Sequence, residues 1–481
     1  MSAPAGRGSG GTIGPARAAA LSIAAVLGSG IFVLPSLSVR AAGPAALVAV
    51  GAVFLCSIPL ASTFAVLSIA YPDAGGVATF ARMAFGGTAA RMAGYWFFFG
   101  VSTGAPIVAV LGAQYVTAVL GAGSGAVVPV AVLLLVPSFA FNLVGLRVAG
   151  AAQMALTAAL LATVLLVCVV AAGSAQAANL HPFLPHGWAG VGEAMSLNVW
   201  AFTGWEAVTH LAGDFRRPRV TVPIATAVAL FAVGTAYLGL QWATVTVLGV
   251  RAGDGPVPLL AILGARNAQA ARLAVGIVAV VVVVGVLNTY VGAFAKLGAA
   301  LGRDGDLPRG MRRGAEAGGV PRVALAVVAA LMVLDFSVLL LVHLDLEPVI
   351  LLQTSCMVAV YAAAVLSAVR LLPRRSRGRR IAVLSLALTA GLVFLAGPHL
   401  VLDAGLAVAA VGVTVVRRRN GPREQDAPVS PPIAESDQGV ERASDFSPVR
   451  GAPWTWSSGR NVGGAGRWPR WRSGPGCRGR R

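Results

Sequence analysis

The chain has 481 residues, 57% of them hydrophobic and only 11% charged, with a mean hydropathy of +0.79. Soluble domains carry about 25% charged residues, so this composition excludes a soluble enzyme or scaffold and indicates a polytopic membrane protein. The formal net charge of +19 does not point to nucleic acid, because the arginines sit in short loops and in the C-terminal segment and build no basic face on a folded domain.

Residues 1–11 form a Gly/Ser/Pro-containing leader, expected to be flexible. The first apolar run, roughly 13–38, is read as a retained span and not as a signal peptide, since no cleavage pattern accompanies it. Within it, Ala25–Ser36 reads AVLGSGIFVLPS, and Gly28, Ser29, Gly30 and Pro35 predict a helix that breaks midway. Unwound backbone at membrane depth is tolerated only where it is buried in protein or lines a polar cavity. The break is therefore a candidate binding site, with the half-helix from Gly30–Ile31 aiming free N–H groups at the gap. The same glycines would also serve close helix packing, which small residues allow.

Apolar runs of about 20 residues cross a bilayer, and about twelve are found between Gly14 and Val416. Span 2 (about 44–70) leads into YPDAGGVATFARMAFGG (Tyr71–Gly87), placed as a cytoplasmic connector with a short helix near Val77–Ala84. Span 3 (about 90–120) carries five aromatics, Tyr95 to Phe99, ahead of Gly100, Ser102 and Gly104; spans 4 and 5 cover about 126–145 and 150–172. The loop from Gly173 to Gly190 holds no Lys or Arg and fits the outer side.

Span 6 (about 191–213) is the second irregular one, with Glu206 near its middle beside Thr203 and Gly204. A carboxylate at that depth is costly, so it faces the bundle interior, where it either carries a proton or orders an unwound turn. His210 falls on the same helix face. Span 7 (about 221–248) follows Arg216, Arg217 and Arg219, and span 8 (about 274–300) ends in a basic connector, Arg303 to Arg322. Spans 9 (about 323–342, with Asp335) and 10 (about 348–369) precede a second basic loop, Arg370 to Arg380. Spans 11 and 12 (about 381–397 and 399–416) read as short and nearly featureless.

Arg82, Arg91, Arg147, Arg216–Arg219, Arg303–Arg322 and Arg370–Arg380 fall on one side, against Arg40, Arg251, Arg266 and Arg272 on the other, which predicts both termini inside. From 417 to 481 the composition turns to Pro, Gly, Ser and Arg, and the segment is expected to be a disordered basic tail. Its Trp454, Trp456, Trp468 and Trp471 among arginines offer contact with anionic lipid. Cys56, Cys168 and Cys356 lie in predicted spans and Cys477 in the tail, so no disulfide framework is indicated. No metal-ligand cluster, nucleophile elbow or phosphate loop occurs, so neither enzyme chemistry nor a cofactor is expected.

The broken GSGIF span, the YPDAGGVATFARMAFG connector, the FTGWE of span 6 and GRDGDLP after span 8 together resemble the amino acid–polyamine–organocation transporter superfamily, in its order and spacing. Around Tyr71–Gly86, Phe202–Pro218 and Leu287–Leu297 the sequence is similar to the family's bacterial exporters of L-methionine and branched-chain amino acids. The resemblance implies an all-α fold with a ten-helix core (12–370) of two inverted five-helix repeats, spans 1 and 6 both broken, and two peripheral helices (371–416). It implies secondary transport of neutral hydrophobic amino acids by alternating access, with export over import, import by an amino acid or amine permease and a non-transporting sensor being the alternatives.

On that reading N–H groups near Ser29, Gly30 and Ile31 receive the substrate carboxylate, and carbonyls near Leu27, Ala201, Phe202 and Thr203 receive the ammonium. Phe202, Trp205, Gly100–Gly104 and Asn288 would line the side-chain pocket. Glu206 has a coupling or gating role, Asp73 and Arg82 pin an inner gate, and Lys296 snorkels or pairs with Asp214. The hydroxyl pair that sodium-coupled relatives place on span 8 is replaced by Gly292-Ala293-Phe294-Ala295, and span 5 lacks a lysine, so proton antiport or facilitated movement is expected over sodium symport.

Overall fold

A computed structural model describes residues 13–28, 30–71, 76–144, 150–206, 209, 215–264, 269–314 and 319–419. Ser29, Asp73, His210 and Asp214 lie outside these, as do the leader at 1–11 and residues 420–481, so the expectations for them concern undescribed residues. The described regular elements are helical, apart from one isolated bridge between Ile13 and Phe215.

Span 1 is two helices, α1 (Pro15–Leu27) and α2 (Leu34–Ala42), separated by a single 3-10 turn over Gly30–Phe32. Then follow α3 (Ala46–Ala70), the connector helix α4 (Val77–Phe85), α5 (Gly87–Tyr95) and α6 (Gly104–Leu120). Next are α7 (Val127–Val144), α8 (Gly150–Ala172) and α9 (Gly187–Ala201), which ends at the FTG segment of span 6. The second half continues with α10 (Pro218–Leu248), the short α11 (Pro258–Gly264) and α12 (Gln269–Arg303). It closes with α13 (Arg322–Leu341), α14 (Leu346–Leu371), α15 (Arg377–Ala396) and α16 (Val401–Arg419).

Among the described residues nine helical stretches are long and apolar enough to cross a membrane, and three of them, 34–70, 87–120 and 377–417, contain turns that divide them. The distribution of polarity is that of a protein with hydrocarbon outside. Phe231, Phe394, Leu133 and Leu165 are exposed, whereas Ser38, Thr63, Asn198, Gln241 and Gln353 are buried.

Span 3 is not one even helix: α5 passes into a π-helical turn over Trp96–Gly100 and a 3-10 turn over Val101–Thr103 before α6 begins. The Thr103 hydroxyl donates to Gly100 O at 2.8 Å and Ser102 to Phe99 O at 3.0 Å, so local side chains occupy the carbonyls exposed by the irregular ladder. Span 6 starts earlier than expected, at Gly187, and the final helix runs on to Arg419, past the boundary at 417 drawn from composition.

In the core α1 packs on α10 and α2 on α9, while α3 touches both α9 and α10. The two interrupted spans are thereby held side by side, with α14 packed on α9.

Candidate binding site between two broken helices

Glycine makes both interruptions possible, for different reasons. Gly204 adopts φ 114°, and a Cβ there would lie 2.6 Å from the carbonyl oxygen of Ala25. Only a residue without a side chain lets the span 6 turn close on the span 1 backbone. At Gly30 an added Cβ would sit 2.5 Å from the Tyr237 hydroxyl. That hydroxyl donates to Leu27 O at 3.1 Å, the carbonyl released where α1 stops.

Other freed acceptors are met in the same way: Tyr115 donates to Phe32 O at 2.9 Å and the Gln241 amide to Pro35 O at 3.3 Å. An orphaned carbonyl in a lipid-embedded bundle would cost several kcal/mol. Tyr115, Tyr237 and Gln241 therefore make the break affordable. The first-turn N–H groups of the 3-10 turn over Gly30–Phe32 have no partner within their own helix, and Gly30 lines the cavity between the two spans.

At span 6 the Glu206 carboxylate folds back on its own turn. Its Oε2 accepts from Gly204 N–H at 3.1 Å and from the Tyr361 hydroxyl at 3.0 Å, while the Glu206 carbonyl accepts from Thr209 Oγ1 at 2.5 Å. Glu206 is 6% exposed and Tyr361, on α14, is 2% exposed. The carboxylate thus acts as an internal cap for the unwound turn.

Between the breaks lies a small cavity. Its floor is Ala25, Val26, Gly28 and Gly30 of span 1 with Trp200 and Thr203 of span 6; its walls are Gly104 and Val108 of α6, Tyr237 of α10, Tyr290 of α12 and Gln353 of α14. No charged side chain is among these lining residues. The free space is about 20 Å³, room for one water, so an amino acid enters only when these groups part. Trp200 Nε1 donates to Gln353 Oε1 at 2.5 Å, and a Cβ on Gly104 would lie 2.7 Å from Gln353 Nε2. The Trp200–Gln353 contact is therefore the bridge across the cavity.

The sequence-predicted residues separate into groups. Gly30 and Thr203 line the cavity; Leu27, Ala201 and Phe202 lie at the helix ends beside it, with the Phe202 ring against Tyr237 at 5.2 Å and tilted by 42°. Ile31 and Trp205 are buried in the surrounding core, at 0% and 1% exposure. Asn288 does not face the cavity; its side-chain and backbone oxygens accept from Asn142 Nδ2 of α7 at 2.9 and 3.0 Å. Tyr290, two residues on, takes the lining position instead. Lys296 is exposed on α12, and its expected partner Asp214 is outside the described residues, as are Ser29 and Asp73.

Arg82 does find carboxylates. It meets Asp304 at 2.9 Å and Asp306 at 3.6 Å, and Asp306 also pairs with Arg91 at 2.7 Å and Arg417 at 3.6 Å. Burial pushes the Asp306 carboxyl above its ordinary value and the guanidinium groups of Arg91, Arg82 and Arg417 pull it back. At the opposite end of the bundle Arg40 of α2 pairs with Glu347 of α14. An opening of about 290 Å³ there is lined by these two with His186 and Glu193.

Sequence reasoning missed Tyr237, Tyr290 and Gln353. The two tyrosines resemble ordinary packing aromatics in an apolar run, but Gln353 and Gln241, amides inside otherwise apolar spans, carried a usable signal.

Comparisons with known proteins bear on the family and the fold. A family model described as amino acid permease matches residues 13–416. The L-methionine/branched-chain amino acid exporter YjeH of Escherichia coli is 30% identical over 81% of this chain and 96% of its own. The uncharacterized amino acid permease YecA of Bacillus subtilis is 28% identical over 75% and 85%. The crystal structure of MhsT in complex with L-phenylalanine superposes with a TM-score of 0.59 at 13% identity, covering 83% of this chain and 100% of that one.

Proposed function

This chain belongs to the amino acid permease family of the amino acid–polyamine–organocation superfamily, and from that premise we propose that it exports neutral, mainly hydrophobic amino acids of the methionine and branched-chain type across the cytoplasmic membrane. It is an integral membrane amino acid transporter and not an enzyme. The observation that carries the finer reading is the cavity shared by the two broken spans, which offers backbone N–H and C=O groups to a zwitterion and an uncharged lining to its side chain.

Span 1 supplies N–H groups at Gly30 and Ile31 for the carboxylate, and the carbonyls at Leu27, Ala201 and Phe202 suit the ammonium. Ala25, Val26, Val108 and the rings of Tyr237 and Tyr290 form the apolar surface for the side chain. A charged substrate side chain would be buried against these groups without a counter-ion, which is costly. Transport then follows from alternate parting of the two ends of the bundle, the Arg40–Glu347 pair closing one and the Arg82, Arg91 and Asp306 cluster the other. With the arginine-rich end cytoplasmic, both termini lie inside.

The similarity to a methionine and branched-chain exporter supports the direction and the substrate class. Cells that overproduce the protein and are preloaded with labelled methionine or leucine are expected to lose label faster than control cells. Faster accumulation instead would make the protein an importer, and no change in either direction would refute the substrate class.

A further inference from the structure

Among the described residues a nearly fully buried carboxyl group has no cationic partner, and it lies on a helix that the sequence marks as featureless. Asp403, in the first turn of α16, is 5% exposed, and its carboxyl oxygens have no partner at full hydrogen-bond geometry; the neutral Ser355 hydroxyl and Cys356 thiol are the polar side chains beside it. No cationic group lies within 4.0 Å of it among the described residues. Its own backbone carbonyl is held by Trp96 Nε1 at 2.9 Å, so the helix is fixed while the carboxyl group is not.

The groups around Asp403 offer no second charge. Cys356 of α14 faces it, and the neighbouring Ser355 directs its hydroxyl to Leu352 O at 2.7 Å and His399 O at 2.9 Å. The turn before α16 contributes His399, whose carbonyl is that acceptor, and the π turn of span 3 contributes only Trp96. On the elements packed against α16, Tyr95 and Arg91 are engaged by Asp306, as is Arg417 of α16 itself, while on α14 Glu347 pairs with Arg40, Tyr361 with Glu206, and Arg370 lies over the Phe85 ring. An ionised carboxylate in that setting is expensive, and a proton is the one counter-charge that fits without moving the helices. Glu206 differs, since both its donors are in place; Asp335, on α13, is only partly buried.

Asp403 also sits where its charge would be felt. Cys356, which faces it, lies one helical turn from Gln353, which spans the cavity to Trp200. Both are pressed against span 3, where a Cβ on Gly100 would collide with Cys356 and one on Gly104 with Gln353. We propose that Asp403 is the site at which the transport cycle binds and releases a proton: neutral, it lets α14, α16 and span 3 close as in this structure; ionised, it requires that seam to admit water. Parting Gln353 from Trp200 to seat a substrate moves the same seam, so substrate and proton affinities are reciprocally linked. This inference rests on the reading of the chain as a transporter of neutral amino acids.

The test uses the full chain in proteoliposomes with labelled L-methionine. Counterflow at equal pH on the two sides reports transport itself, and its absence in the wild type counts against the substrate reading, not against Asp403. Accumulation driven by a pH gradient reports coupling. Asp403→Asn is expected to keep counterflow within about twofold and to lose about tenfold or more of gradient-driven accumulation, within the roughly 5–150-fold of ordinary coupling free energies. Wild-type accumulation by that variant, or a wild type indifferent to the gradient, would overturn the proposal. Should Asp403→Asn fail to reach the membrane, an apolar carbodiimide, which reacts with protonated carboxyls, is applied to the wild type. Labelling of Asp403 that falls with rising pH and changes with methionine supports the site; no labelling, or labelling insensitive to both, overturns it.

Discussion

The hydroxyl of Tyr361 on α14 donates to Oε2 of Glu206 at 3.0 Å, and the Gly204 N–H reaches the same oxygen at 3.1 Å. One carboxylate therefore joins span 10 to the interruption of span 6. Hydrogen bonds to charged groups contribute about 1.5–3 kcal/mol, and 1.4 kcal/mol corresponds to tenfold. Tyr361→Phe is expected to lower the initial rate of methionine flux about tenfold. Glu206→Gln, which keeps an acceptor, should retain part of the rate and Glu206→Ala none, with each variant present in the membrane at wild-type amounts.

The close approach of Gly204 to Ala25 and of Gly30 to Tyr237 makes both positions intolerant of a side chain. Gly204→Ala forces a residue with φ 114° to carry a Cβ 2.6 Å from a backbone oxygen. Gly30→Val displaces the Tyr237 hydroxyl from Leu27 O. Both variants should lose substrate-induced thermal stabilisation as well as flux, measured by melting of the purified protein with and without methionine.

The breaks were legible in the sequence because glycine, serine and a carboxylate inside an apolar run admit few explanations. The connector helix was legible too, and α4 falls at Val77–Phe85. The groups that make the breaks tolerable were not, since Tyr115, Tyr237 and Tyr361 come from three distant helices and look like packing aromatics until the fold brings them to freed polar groups. Asn288 is expected in the pocket as the polar residue of span 8, yet two residues on a helix turn a side chain by about 200°, so Tyr290 lines the cavity while the Asn288 side-chain oxygen accepts from Asn142 instead. Asp403 escaped notice because an acid next to a loop reads as a helix boundary, whereas the short turn between α15 and α16 carries it into the protein.

Arg91 and Asp306 form a pair with side chains 6% and 3% exposed. Removing one member of a buried pair costs about 3–5 kcal/mol because the other is left uncompensated. Arg91→Met should melt well below the wild type. Without that guanidinium, burial holds the Asp306 carboxyl still further above its unfolded value, so the folded variant binds a proton more tightly than its unfolded chain. Its stability is then greatest at acid pH and falls as the pH rises, so the gap to the wild type widens from acid to alkaline conditions in a melting series.

Arg417 lies 3.6 Å from Asp306, and α16 continues to Arg419. A chain ending after Arg419 should transport at the wild-type rate. A chain ending before Arg417 should be less stable, which a paired comparison of melting and flux would show. Equal stability of the two would remove the role assigned to this contact.

Widening the cavity tests what it selects. Gln353 bridges to Trp200 at 2.5 Å across a space of about 20 Å³. Gln353→Ala should admit bulkier neutral side chains, raising counterflow of phenylalanine relative to methionine, because the amide bridge no longer narrows the site. An unchanged ratio would place selection elsewhere.

The most direct measurement is a counterflow panel of the twenty amino acids in proteoliposomes, comparing the wild type with Gly30→Val. The wild type should exchange labelled methionine, leucine, isoleucine and valine and reject lysine, arginine, aspartate and glutamate, and Gly30→Val should exchange none. Exchange of charged amino acids at rates comparable to methionine, or normal exchange by Gly30→Val, would contradict a zwitterion held between the two helix breaks.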